Sequence, residues 1–296
     1  EDKRILDHSS SEISTEDAAV LMETLMQEMR RGGYEFYTGT SYRHLLIHKF
    51  GSVVELTAPH DILTKRIGEY LPQDAVLREM METSYRILSN HPLNLERKAK
   101  GLNPANSVWF WGAGTRPMLT SFEEKYHKKG AMISAVDLLK GIAVGAGLDN
   151  IIVEGANGGL HTNYTGKAEA AVDALAAQDY DFVYVHIEAP DEMGHQGSIP
   201  DKIKAIENID QKIIGPIVGE LEDLCMDFRT LVLPDHPTPI CVRTHTGNPV
   251  PYLLYDSRKK AEGMPEYSER LGNKSPLFEK EGHRLLSRLF EMDNER

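Results

Sequence analysis

The chain has 296 residues, with 33 basic and 45 acidic side chains and a formal net charge of −12; this length favours about two domains. The acidic balance, without any Lys/Arg run, excludes non-specific nucleic-acid binding and fits a soluble cytoplasmic enzyme. No apolar stretch is long enough to cross a bilayer. Cys225 and Cys241, without C-x-x-C spacing, read as buried free thiols in a reducing compartment, not as a disulfide framework. The opening E-D-K-R has neither an initiator Met nor the apolar core of a signal peptide, as a cut inside a longer polypeptide would.

Residues 14–31 predict a helix. Ser14 with Asp17 fits a capping box, Ala18, Leu21, Leu25 and Met29 recur at helical spacing, and Gly32-Gly33 ends the run. The stripe Met22, Met26, Met29 is core material. Strand-like runs follow at Tyr34–Thr38 and His44–His48, then a helix over Ala75–Ser89 begun by Asp74 and ended near Pro92. This α+β unit is bounded by the polar segment Asn94–Asn106. Trp109 and Trp111 read as core or domain-interface packing.

From about Ala131 the order becomes strictly alternating: a helix over Ala135–Val144, strand Ile151–Val153, helix Lys167–Ala177 and strand Phe182–Ile187. A helix after Pro200 carries Ile203, Ile206, Ile213 and Ile217 on its buried side, and strand Thr230–Leu233 follows. That order predicts an α/β fold with a mostly parallel sheet and helices on both faces, in which ligands bind beyond the carboxyl ends of the strands.

Two motifs fall at that edge. Asp191 and His195, in A-P-D-E-M-G-H-Q-G, follow the Phe182 strand; Asp235 and His236, in L-V-L-P-D-H-P-T-P, follow the Thr230 strand. His245 lies shortly downstream. Each alone fits a plainer reading: a polar loop, a strand-end turn, one histidine among 12. Together they could hold two divalent metals, and mixed carboxylate–imidazole ligation suits Mn²⁺, Zn²⁺ or Fe²⁺ better than Ca²⁺. A metal pair is the usual clamp for a transferring phosphoryl group. Lys140 alone reads as a solvated helix lysine, and Arg116, in W-G-A-G-T-R-P, as part of a turn. No G-x-x-x-x-G-K-[ST], G-x-G-x-x-G or G-x-S-x-G pattern occurs, so phosphate-loop, dinucleotide and hydrolase-elbow chemistry have no support.

The motifs D-H-S-S-S-E-I-S-T-E-D-A, S-Y-R-H-L-L, P-H-D-I, K-G-A-M-I-S-A-V-D-L-L-K-G-I, H-I-E-A-P-D-E-M-G-H-Q-G, K-I-K-A-I-E-N-I-D and D-H-P-T-P occur in this order along the whole chain. As a set they resemble the archaeal-type cofactor-independent phosphoglycerate mutases of the alkaline phosphatase superfamily. The resemblance implies an alkaline-phosphatase-like α/β fold with an inserted α+β cap domain, the cap spanning 1–112 and the catalytic domain 113–296. It implies interconversion of 3- and 2-phosphoglycerate without 2,3-bisphosphoglycerate, through a phosphoserine. It also implies two divalent metals, with Mn²⁺ expected and Co²⁺, Zn²⁺ or Mg²⁺ as alternatives. Asp191, His195 and His245 would bind one metal, Asp235 and His236 the other. Lys140 would stabilise the transferring phosphoryl, Arg116 would bind substrate phosphate, and Arg43 and His44 would face substrate from the cap. The implied partner is a small phosphoglycerate, with no nucleic acid or membrane.

Three departures from the family pattern stand out. Pro237 replaces the Ser of D-H-S-T-P, and Asn248 stands where an Asp is usual. The first strand and the nucleophilic Ser have no counterpart, so the chain alone is expected to be inactive. A metal-dependent phosphatase or phosphonate hydrolase of the same superfamily, and a non-catalytic metal-binding fragment, are the alternative readings.

Overall fold

The structure, a computed structural model, describes residues 3–259, 263 and 265–290, which divide into two compact units, Glu1–Arg116 and Pro117–Arg296. In the first unit, helix α1 (Thr15–Glu28) starts where Ser14 Oγ accepts the Asp17 amide. Strands β1 (Tyr34–Tyr37) and β2 (Leu45–His48) pair antiparallel, Tyr34 opposite His48. Helix α2 (Ala75–Leu88) is capped by Asp74, which accepts from the amides of Val76 and Leu77. The α1 residues Ala18, Leu21, Met22 and Leu25, with Met29 just beyond, pack against Leu77, Met80 and Leu88 of α2; Met26 lies at the margin.

The polar run from Asn94 does not bound this unit. It opens inside helix α3 (Pro92–Ala99) and is packed into it. Asn94 is fully buried; its amide donates to the Leu88 and Ala105 carbonyls and its oxygen accepts the Ala105 N–H. One side chain thereby satisfies backbone groups that burial would otherwise leave unpaired. Trp109 donates to the Thr57 carbonyl, whereas Trp111 is half exposed and meets His60 edge-on, so Trp111 is not core.

The second unit begins with helix α4 (Phe122–Tyr126) and strand β3 (Gly130–Ile133), every residue of which is buried. Helix α5 (Asp137–Gly145), the short strand β4 (Asp149–Asn150), helix α6 (Tyr164–Ala176) and strand β5 (Phe182–Val185) complete a parallel sheet in the order β4-β3-β5. The β4 ladder forms just before the apolar Ile151–Val153 run: only the Ile151 amide still reaches the sheet, at Met132 O, and Ile152 is exposed. After helix α7 (Ala189–Gln196), helix α8 (Ile199–Ile209) passes through one π turn, Asp210–Ile214, into helix α9 (Gly215–Asp223). Strand β6 (Arg229–Val232) then pairs antiparallel with β7 (Leu253–Asp256), and short helices α10 (Glu269–Gly272) and α11 (Arg284–Leu289) close the described chain.

The π turn corrects the isoleucine stripe. Ala205, Asn208 and Ile213 are buried, while Ile203 and Ile206 are half exposed. A five-residue turn places Asn208 and Ile213 on one face and rotates the preceding isoleucines away from it. Both cysteines are exposed, Cys225 at a left-handed turn (φ 54°) beyond α9; the thiols are free but not buried. Among the described residues no helix is long and apolar enough to cross a membrane.

Candidate metal centre

The D-x-x-x-H motif is one turn of helix, not a polar loop. Pro190 occupies the first turn of α7 and Gly197, at φ 75°, ends it. The i,i+4 spacing puts Asp191 and His195 on the same face. Asp191 lies in the first turn, where the helix dipole favours a carboxylate. Gly194 lets the next segment approach: a Cβ there would stand 2.6 Å from the Thr238 carbonyl oxygen.

That segment follows β6. Asp235 Oδ1 accepts the His236 amide at 3.0 Å, and a turn in which the amides of Val242 and Arg243 donate to Pro239 O brings His245 back. Thr246 N closes the loop on Pro237 O at 3.1 Å. His195 Nε2 then lies 3.1 Å from His245 Nε2 and 3.3 Å from Asp191 Oδ2, and His245 Nε2 lies 3.4 Å from Asp191 Oδ1. The His236 ring lies against His245 at a tilt of 32° with centroids 3.7 Å apart, and its Nε2 is 3.2 Å from Asp235 Oδ2. Asp191, His236 and His245 also converge as a possible metal group.

These spacings fit an ion. Metal bonds of about 2.0–2.1 Å in tetrahedral array put neighbouring ligand atoms about 3.3 Å apart. Proton placement agrees. His195 Nδ1 faces the Arg243 carbonyl at 3.0 Å, which can only accept, so Nδ1 carries a proton and, in the neutral ring, the Nε2 lone pair turns toward Asp191. A carboxylate oxygen and an imidazole lone pair this close need a cation or a further proton between them.

Residues not singled out from sequence surround the cluster. His186, just beyond β5, has its pKa lowered by burial, with Asp235 and Asp191 opposing and Lys167 reinforcing. Lys167 is buried in α6 and donates to His186 O at 3.2 Å; burial lowers its pKa and Glu188 opposes. Thr238, also buried, donates to Asp191 Oδ1. Of the other expected site residues, Lys140 lies on α5 and pairs with Asp137 at 3.3 Å. In the first unit, Arg116 is exposed, Arg43 lies over the Tyr42 ring at 5.1 Å, and His44 Nδ1 accepts the Gly39 amide at 3.2 Å.

The metalloenzyme superfamily matches residues 12–285. A Methanosarcina barkeri protein named 2,3-bisphosphoglycerate-independent phosphoglycerate mutase is 49% identical over 279 residues, covering 91% of this chain and 70% of the relative. A solved Pyrococcus horikoshii protein superimposes with a TM-score of 0.76 at 27% identity, over 99% of this chain and 72% of that one. The cofactor-independent phosphoglycerate mutase of Thermoplasma acidophilum shares the fold, with a TM-score of 0.54 at 24% identity over 94% and 69% of the two chains.

Proposed function

We propose a function from this premise: the chain belongs to the metalloenzyme superfamily and, within it, to the 2,3-bisphosphoglycerate-independent phosphoglycerate mutases, which are isomerases. The activity assigned is interconversion of 3-phosphoglycerate and 2-phosphoglycerate in the cytoplasm, by phosphoryl transfer through a serine. The observation that carries this reading is the convergence of Asp191, His195, His236 and His245 beyond the ends of β5 and β6.

Asp191, His195 and His245 would hold one divalent metal and Asp235 with His236 a second, Mn²⁺ being the expected ion. When bound, such a pair supplies a lowered hydroxyl pKa and charge neutralisation at phosphoryl oxygens. The chain's own residues bind and orient. Arg116 would bind the substrate phosphate, and Arg43 and His44, in the segment read as the cap, would face substrate. Lys140 would leave its surface pair with Asp137 to neutralise the migrating group.

The chain spans about 70% of this relative's length. Among the described residues β5 pairs only with β3 and β6 only with β7, although both strands lead into the same centre.

An enolase-coupled assay with 3-phosphoglycerate and Mn²⁺, without added bisphosphoglycerate, tests this on the full-length reading frame. Turnover is expected, and Asp191→Ala should abolish it; near-normal turnover by that variant would overturn the metal assignment.

A further inference from the structure

Thr238 touches a ligand from each of the two sets. Its hydroxyl donates to Asp191 Oδ1, and its oxygen lies 3.3 Å from His236 Nδ1. A threonine hydroxyl carries one proton. Asp191 as carboxylate can only accept, so that proton is committed to Oδ1. The second partner must donate, which places a proton on His236 Nδ1 and, in the neutral ring that binds a metal, leaves Nε2 as the free lone pair. Nε2 is the atom 3.2 Å from Asp235 Oδ2.

We infer that Thr238 is a positioning residue that fixes the His236 tautomer and the Asp191 carboxylate rotation together, presetting Nε2 ligation in one metal site and Oδ2 in the other. The inference rests on the two-metal reading above. The hydroxyl is itself held in place. Thr238 is 4% exposed, and its carbonyl accepts from Lys202 Nζ on α8 at 2.7 Å. The same carbonyl packs over Gly194 of α7, where no side chain stands in its way. Three segments (the α7 helix, the start of α8 and the loop after β6) thus meet at one side chain. His195 shows the same logic by another route, its Nδ1 proton committed to Arg243 O. Both imidazoles then offer Nε2, one held by a backbone carbonyl and the other by Thr238.

The test is Zn²⁺ titration of the full 296-residue chain by calorimetry, with ¹⁵N-histidine spectra of the Zn²⁺-loaded protein. Removing an outer hydrogen-bond partner of a metal ligand typically costs 10–100-fold in affinity. Thr238→Val, which keeps shape and removes the hydroxyl, should weaken Zn²⁺ binding roughly 10–100-fold. Thr238→Ser should restore most of the loss, which a purely volumetric role would not do. The His236 spectrum should show Nε2 bound to metal and Nδ1 protonated.

Zn²⁺ ligation through His236 Nδ1 would overturn the inference, and so would unchanged affinity in Thr238→Val. The wild-type spectrum decides even where the valine variant fails to fold. Failure of the underlying metal reading looks different: the wild-type chain would bind no Zn²⁺, or Asp191→Ala would bind it unimpaired.

Discussion

Asp191 and His195 show how much of a site a single helical turn carries. Their spacing, the proline before them and the glycine after them are readable from the sequence, and the i,i+4 contact follows from helix geometry. The placement of Asp235 and His236 after a strand was equally legible. Thr238, Lys167 and His186 were not, because a hydroxyl or a buried ammonium gains its role from what tertiary packing brings within hydrogen-bonding reach. Lys140 is the reverse case: its motif marks it, while its contact is a solvated pair with Asp137. Gly194→Ala is a sharp check on the close approach of α7 and the Thr238 loop. Its Cβ would stand 2.6 Å from a backbone oxygen, so the loop must move. Zn²⁺ affinity should fall by about 10-fold or more, with helix content by circular dichroism unchanged; unimpaired binding would show that this approach does not position the ligands.

At the scale of elements, the caps of α1 and α2 were legible because the signals are local, whereas α6 was read from its alanines and begins three residues earlier, at an Asn163 cap. The isoleucine stripe of α8 and α9 held for Ile213 and Ile217 but misled for Ile203 and Ile206: a π turn changes the phase of a helix without leaving a mark in the apolar pattern. The polar run that opens inside α3 misled differently, since Asn94 is a buried connector, not a linker residue. The loop before α1 depends on Asp7, which accepts from the Ser9 and Ser11 amides and from Asn103, while Ser10, Ser11 and Glu12 all adopt positive φ. Burial alone would raise the Asp7 pKa, but hydrogen bonds from Asn103, Ser11 and Ser9 outweigh it and bring it to about 2 from 3.8. A depressed folded pKa contributes stability above the unfolded value that is lost as pH falls through the folded one. Asp7→Asn should therefore cost about 1–2 kcal/mol at pH 7, discounted for partial exposure. The gap from wild type should close between about pH 4 and pH 2 in urea titrations; a pH-independent gap would remove the carboxylate's charge from the explanation. For α2, Asp74→Ala should cost about 1 kcal/mol through two lost amide bonds, measured by the same titration.

At the scale of the molecule, the sequence anticipated an α+β unit followed by an alternating α/β one, because the shift in hydrophobic period spans many residues. The antiparallel β6–β7 pair was not anticipated, since β7 has no alternating pattern that sets it apart from neighbouring loops. All five proposed metal ligands lie in the second unit, so metal should stabilise that unit selectively. An ion binding only the folded state adds about 2.7 kcal/mol at 100 times its dissociation constant. Calorimetric scans should show a second-unit transition raised by Mn²⁺ or Zn²⁺ and lowered again by chelator, with the first-unit transition unmoved. Equal response of both transitions would place the ion elsewhere.

The most direct measurement is anomalous scattering from crystals of the 296-residue chain loaded with Mn²⁺. One peak is expected bonded to Asp191, His195 and His245 and a second at Asp235 and His236, each at about 2.0–2.2 Å from its ligand atoms. No peak among these side chains, with manganese bound elsewhere or not at all, would contradict it.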